Sequence, residues 1–300
     1  MDKKKILVTG SNGLLGQKIV NQLKSRKDIE LIATSKGENR RLIKDFSYES
    51  LDITSEQEVN AIMKKHSPDV VINTAAMTNV DACEDNQESC WDINVNAVKY
   101  LLECSSKEKS QFIHLSTDFV FDGKNGPYVE TDIPNPLSYY AKSKLASEEL
   151  ISSNKYNNTA VARTIIVFGN GDKLSRGNLI LWAKGALEKQ SPINVVDDQY
   201  RAPTLAEDLA RGCIAIADKE ATGIYHLSGP ETLSILEIVF RIGKFYNLST
   251  ECVTAIKTET LNQTAKRPPR TGFVIDKARK DLNYQPLNLE ESLAFLDKQI

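Results

Sequence analysis

The sequence predicts an α/β fold: a doubly wound parallel sheet followed by a smaller C-terminal α/β lobe. Three observations carry this expectation. Up to about Arg163, short runs that are apolar on both faces alternate with amphipathic stretches, the rhythm of βαβ units whose sheet is covered on two sides. The first apolar run ends in a glycine-rich turn that opens a helical pattern. Beyond Arg163 the rhythm becomes irregular, as expected of a second lobe packed on the first.

Taken in order, strands are predicted at 6–8, 31–33, 70–72, 112–115 and 160–162, and helices at 14–23, 56–65, 95–104 and 145–151. Right-handed crossovers between parallel strands then wind the sheet in both directions. Further on, strands are expected at 193–196 and 224–227, and helices at 205–217 and 234–246. A Pro-rich loop at 266–270 and a closing helix at 289–296 complete the chain. Residues 1–163 read as the sheet domain and 164–300 as mainly the second lobe, with about 204–228 returning to the sheet domain.

Composition narrows the function classes. A chain of 300 residues, 41% hydrophobic and 26% charged, is an ordinary globular protein of one large domain or two small ones. The balance of 38 Lys and Arg against 40 Asp and Glu argues against broad nucleic-acid binding or docking on an anionic membrane. Any anionic ligand must be held by local groups. Cys83, Cys90, Cys104, Cys213 and Cys252 form an odd set without a C-x-x-C pair, and residues 1–5 run straight into the first strand with no apolar leader. No window approaches the ~18 apolar residues that span a bilayer. The expectation is a cytoplasmic chain with free thiols, a monomer or a homodimer.

Thr9-Gly10-Ser11-Asn12-Gly13-Leu14-Leu15-Gly16 joins the first strand to the first helix. Three glycines at this spacing arise by chance about 0.04 times in such a chain, and the strand–turn–helix context is the one a dinucleotide requires. Gly13 lets backbone N–H groups approach a pyrophosphate at the helix N-terminus, where the dipole favours negative charge. The base of the second strand decides the dinucleotide type, because an acidic residue there bonds the ribose 2′-hydroxyl of NAD. Thr34-Ser35-Lys36 occupies that place, with Arg40 and Arg41 close behind. Cations without a carboxylate favour the 2′-phosphate of NADPH, and Glu38 leaves NADH open.

Tyr140 and Lys144 are the only Y-x-x-x-K pair; chance alone supplies about one, so the spacing by itself is silent. Both fall on a helix predicted after Pro136, where i,i+4 spacing puts them on one face. A nearby ammonium is expected to lower the phenol's pKa and suit it to proton transfer with a carbonyl oxygen. Ser116-Thr117-Asp118 follows the fourth predicted long strand, at the carboxyl edge where ligands bind. The motifs of serine hydrolases, P-loop phosphate binders and zinc proteases are absent. His66, His114 and His226 are scattered, and His114, inside an apolar strand, reads as a core residue. No metal site is expected.

Together, T-G-x-x-G-x-x-G, Asn73-Thr-Ala-Ala76, Ser116-Thr117-Asp118 and Tyr140-x-x-x-Lys144 resemble the extended short-chain dehydrogenase/reductase family with its Rossmann domain. Ala75-Ala76-Met77-Thr78-x-Val80-Asp81-x-x-Glu84, Ser116-Thr-Asp-Phe-Val-Phe-Asp-Gly123 and Asp198-Gln-x-x-x-Pro203-Thr204 are similar to its dTDP-4-dehydrorhamnose reductase subgroup. The resemblance runs from Lys4 to about the final helix. It implies NAD(P)H-dependent reduction of the 4-keto group of a nucleotide-linked deoxysugar, a step in making activated sugars for polysaccharide. Tyr140 would protonate the ketone, Lys144 would tune it and hold the nicotinamide ribose, and Thr117 would complete the triad. Gly10, Gly13, Leu14, Leu15 and Gly16 would lie on the pyrophosphate, Asp52 and Ile53 by the adenine, and Ala75, Ala76 and Met77 along the cofactor. Thr78, Thr117, Asp118, Ile166, Arg201 and Arg267 would form the sugar-nucleotide side.

Two positions depart from the subgroup: Ile166 stands where an aromatic Trp is frequent, and Arg201 where a glycine is common. Arg201, Arg267 and Arg270 could neutralise a diphosphate bidentately, or could be loop charges. An epimerase or dehydratase on the same scaffold is the alternative enzyme. A non-catalytic NADP-binding regulator, like the β subunit of methionine adenosyltransferase that resembles this subgroup, is the alternative outside catalysis.

Overall fold

The computed structural model describes residues 3–42, 45–175 and 177–299. Residues 1 and 2 lie outside them. The strands are β1 (Lys4–Thr9), β2 (Ile29–Ser35), β3 (Ser47–Ser50), β4 (Val70–Asn73), β5 (Gln111–Thr117), β6 (Thr159–Thr164), β7 (Val167–Phe168), β8 (Ile193–Val196), β9 (Tyr200–Arg201), β10 (Thr204–Leu205), β11 (Gly223–His226), β12 (Leu233–Ser234) and β13 (Val253–Ile256). The helices are α1 (Leu14–Leu23), α2 (Glu56–His66), α3 (Val80–Asp85), α4 (Gln87–Trp91), α5 (Ala97–Glu108), α6 (Tyr139–Ser153), α7 (Leu179–Glu188), α8 (Ala206–Asp218), α9 (Ile235–Tyr246), α10 (Asp276–Leu282) and α11 (Leu289–Asp297).

Seven strands form one sheet in the order β11-β6-β5-β4-β1-β2-β3, and every pairing in it is parallel. The order reverses between β1 and β4, which opens a crevice at the strands' carboxyl ends. Ile6, Val8, Ile72, Ile113, Ala160 and Ala162 face one buried cluster, with Ile19, Val20, Leu209 and Cys213 of α1 and α8. Leu7, Ile32, Val71, Phe112 and Val161 face the other, with Val59, Met63, Val98, Leu101 and Ile151 of α2, α5 and α6. Alternate residues of one strand thus bury on opposite sides, which is why these strands read as continuous apolar runs.

β3 was not anticipated. Its Ser-Tyr-Glu-Ser sequence sits at the sheet edge with no buried residue, so no apolar run marks it. A second difference lies before α5, where Asp92–Asn96 form a π-helical turn whose last two residues fall inside the 95–104 stretch predicted as regular helix. α6 starts six residues earlier than the 145–151 pattern because the Ser138 side chain accepts from Ala141 N and caps it, a contribution of about 1 kcal/mol. Beyond the sheet, α7, α9 and α11 enclose their own core of Ile180, Ala183, Leu187, Ile238, Val239, Ile242, Leu293 and Leu296.

Candidate active site

The glycine turn is shaped by three different constraints. Gly10 has φ +66°, and a Cβ there would stand 2.8 Å from Ala75 N, so only glycine fits. A Cβ at Gly16 would overlap the Gly10 carbonyl; its absence lets α1 pack against β1. Gly13 caps α1 and would meet only the Gly10 oxygen at 3.2 Å, leaving its outer side open to a ligand. Gly13 N–H donates to Gly10 O at 2.8 Å, while the amides of Leu14, Leu15 and Gly16 begin α1 and lack a partner one turn earlier. The turn and the first helical amides form an anion cradle.

Two contiguous cavities extend from this cradle. One, of about 500 Å³, is lined by Gly10, Gly13, Ser35, Lys36, Arg40, Asp52, Ile53, Ala75 and Ala76. The other, of about 660 Å³, is lined by Gly13, Leu14, Leu15, Gly16, Ala76, Thr78, Thr117, Asp118, Tyr140, Lys144, Ile166, Arg201 and Arg267. Nearly every residue expected at the site from the sequence lines one of the two. Thr34 does not: it is fully buried in β2, with its hydroxyl donating to Val8 O at 3.2 Å. Met77 also lines neither. Its backbone N–H and C=O are held by the Asn94 side chain at 2.9 and 3.0 Å.

The cations behind β2 separate on inspection. Arg41 is 5% exposed and spends its guanidinium on Asp172 at 3.2 Å and Asn21 at 2.7 Å, away from the cavity. Lys36 pairs with Asp52 at 2.6 Å. Arg40 lines the cavity, and its loop is pinned by Asn12: Asn12 Oδ1 accepts from Arg40 N at 3.0 Å and Nδ2 donates to Glu38 O at 2.9 Å.

At the other end, Tyr140 and Lys144 project from α6, and Thr117 closes β5. Tyr140 is buried; burial drives its pKa upward, partly opposed by a hydrogen bond with Thr117. This is the reverse of the lowering that i,i+4 spacing predicted. Lys144 is 2% exposed, and burial pulls its pKa down to about 8. Its Nζ lies 3.0 Å from His114 Nε2. Phe119 meets Tyr140 edge-on at 6.2 Å. Ser116 Oγ and Thr164 Oγ1, buried at the neighbouring ends of β5 and β6, have no protein partner among the described residues and are free to bond a ligand.

Asp118 is a buried carboxyl. Burial raises its pKa, against Arg201, Thr271 and Thr117; Thr271 donates to its Oδ2 and Thr117 to its Oδ1, the latter at 3.1 Å. Arg201 is also buried. It stands 4.0 Å from Asp118, lies over Phe119 at 5.3 Å, and donates to Tyr200 O at 2.6 Å and Pro268 O at 2.8 Å. It therefore staples the Pro-rich loop to the cavity wall as well as lining the cavity. Arg267 forks onto Asp81 at 2.6 and 3.1 Å. Arg270 rests over the Tyr200 ring at 4.8 Å and does not line either cavity. Ile166 has φ +33°, a costly conformation for a β-branched residue, and presents its side chain to the sugar-side cavity.

Three side chains were missed by sequence reasoning: Asn12, Asn94 and His114. Asn94 sits in the π-helical turn and also donates to Ser143 at 3.0 Å; such turns favour functional places. Only Asn12, inside the glycine turn, had a positional signal.

The sequence matches the RmlD substrate-binding domain family over residues 4–299. The chain belongs to this family. A relative named dTDP-4-dehydrorhamnose reductase, from Aggregatibacter actinomycetemcomitans, is 33% identical over 96% of this chain and 97% of its own. The zebrafish (Danio rerio) methionine adenosyltransferase 2 subunit beta is 30% identical over 88% of this chain and 81% of its own. The solved structure of a dTDP-4-dehydrorhamnose reductase from Clostridium acetobutylicum superposes with a TM-score of 0.85 at 30% identity, covering 98% of this chain and 99% of that one. The RmlD family is part of the extended short-chain dehydrogenases/reductases, and the seven-stranded parallel sheet of this chain agrees with that fold. No helix among the described residues is long and apolar enough to cross a membrane, and no group of three His, Cys, Asp or Glu is placed among them to hold a metal. All five cysteines are free thiols.

Proposed function

We propose that this protein is an NADPH-dependent oxidoreductase that reduces the 4-keto group of a dTDP-linked 6-deoxysugar, as a dTDP-4-dehydrorhamnose reductase does, within the cytoplasm. The observation that carries the reading is the meeting of Thr117, Tyr140 and Lys144 in one cavity that runs on into the Gly10–Gly16 anion cradle. The cradle fits a dinucleotide: Gly13 is open outward, and the first amides of α1 at its edge have no carbonyl one turn earlier to pair with. Ser35, Lys36 and Arg40 line the far cavity where a ribose 2′-phosphate would sit, and Asp52 and Ile53 the adenine side. When bound, the cofactor supplies the hydride.

The chain's own residues supply the proton and the geometry. Burial keeps the Tyr140 phenol protonated, the form that gives a proton to a ketone oxygen. Thr117, which lines the same cavity as Tyr140, offers that oxygen a second contact. Lys144 as an ammonium favours the phenolate left behind. Holding ketone and cofactor in one dry cleft contributes through orientation and preorganised charge. Ile166 and Arg201 shape the sugar side, and Arg267 stands at the nucleotide end.

The test is NADPH oxidation against a panel of nucleotide-linked 4-keto-6-deoxysugars. Turnover with the dTDP-linked ketone supports the reading; inertness toward every ketone, with stoichiometric capture of a methionine adenosyltransferase catalytic subunit, overturns it in favour of a regulator. Isomer exchange without net NADPH consumption overturns it in favour of an epimerase.

A further inference from the structure

His114, set aside as core by sequence reasoning, is fully buried in β5 and touches the machinery directly. Its Nε2 lies 3.0 Å from Lys144 Nζ and 3.0 Å from Ser147 Oγ. Its Nδ1 lies 3.1 Å from Asn73 Nδ2, and Asn73 Oδ1 accepts from Thr9 Oγ1 at 2.6 Å. Thr9, Asn73 and Ser147 are all 0–1% exposed, so water does not compete for these groups.

Proton positions follow from chemistry. A separation of 2.6 Å suits O–H···O, not N–H···O, which orients the Asn73 carboxamide with its oxygen on Thr9 and its NH2 on the ring. An NH2 only donates, so Nδ1 accepts and the ring proton resides on Nε2. Ser147 gives its own proton to Lys144 O at 2.6 Å, leaving Oγ to accept from Nε2. Four bonds therefore run one way, from Thr9 to the backbone of α6. The single Nε2 proton is shared between Ser147 Oγ and Lys144 Nζ, each 3.0 Å away. An ammonium there has no lone pair to receive it, whereas an uncharged amine does.

We propose that His114 is a positioning residue of the reductase: locked by Asn73 as the Nε2–H tautomer, it seats the uncharged amine of Lys144 at the sheet edge and turns the ammonium outward, toward Tyr140. The proposal rests on the reductase reading for its consequence, not for its geometry. The other titratable groups that act on Lys144 among the described residues are Glu148 on α6, already spent on Arg163 at 2.6 Å, and Cys90 on α4. Lys144, with its pKa near 8 through burial, loses its charge as pH rises, and turnover falls with it.

Nitrogen-15 NMR of the uniformly labelled full chain tests the tautomer without any substrate; there are only three histidines, and His66→Gln and His226→Gln assign the third. The expected spectrum shows a pyridine-type Nδ1 and a pyrrole-type Nε2 for His114, unchanged in Ser147→Ala. In Asn73→Asp the carboxylate demands a proton from Nδ1, so the pattern reverses and Nε2 becomes an acceptor for the ammonium. The alkaline limb of kcat should then move up by about one pH unit, whereas a merely structural His114 would lower Tm and leave the limb in place. A pyrrole-type Nδ1 in the wild type overturns the proposal, as does a reversed tautomer with an unmoved limb. If no ketone is turned over, the reductase reading fails while the NMR result still decides the tautomer.

Discussion

The two cavities are built by different means. The dinucleotide end is assembled from short local pieces at consecutive strand ends: the 10–16 turn, the residues after β2 and β3, and 74–76 after β4. The sugar end is assembled from β5, α6, the 164–167 bend, Arg201 and Arg267, residues that span more than half of the chain. Local pieces place backbone amides and small residues, which need only a correct turn. The distant pieces place buried charges, Asp118 and Arg201 among them, and these depend on partners such as Thr271 and Pro268. Damage at the first end should therefore be felt as lost cofactor affinity, and at the second as lost turnover or altered substrate choice.

The largest expected effect breaks the comparison at its catalytic pole. Tyr140→Phe removes the proposed proton donor and should lower kcat by about 10³-fold, with NADPH binding, followed by fluorescence titration, within about twofold of wild type. Next comes the cradle. Gly16→Ala drives a Cβ into the Gly10 carbonyl and should cost about 2–3 kcal/mol of stability, seen in a denaturant melt, together with most NADPH affinity. A smaller effect separates neighbouring arginines. Arg40→Ala should weaken NADPH by about tenfold while NADH is unchanged; Arg41→Ala, whose guanidinium is buried on Asp172 and Asn21, should lower Tm and leave the NADPH-to-NADH ratio alone. The smallest is at Ile166. Ile166→Gly relieves about 1 kcal/mol of left-handed backbone cost but removes cavity wall, so KM for the sugar should rise severalfold with KM for NADPH unmoved.

Legibility in the sequence followed the same division. Strands buried on both faces announce themselves as apolar runs, and the glycine spacing encodes steric limits that hold in any context. β3 escaped because an exposed edge strand needs no apolar residues. The π-helical turn escaped because it inserts a residue without altering composition. Arg40 and Arg41 looked equivalent, and only packing showed that one lines the cavity while the other is consumed by Asp172. The pair Tyr140 and Lys144 was placed on one helix face, yet the expected lowering of the phenol pKa failed: burial, which spacing does not report, outweighs it.

By itself the sequence determined the parallel sheet, the dinucleotide cradle and the residue types that can move a proton, because these rest on periodicity, on chain geometry at glycine and on side-chain chemistry. Tertiary structure alone decided which charges remain available. Desolvation and hydrogen-bond direction depend on every neighbour within a few ångströms, and those neighbours, from Asn73 beside His114 to Thr271 on Asp118, come from parts of the chain that no local pattern connects.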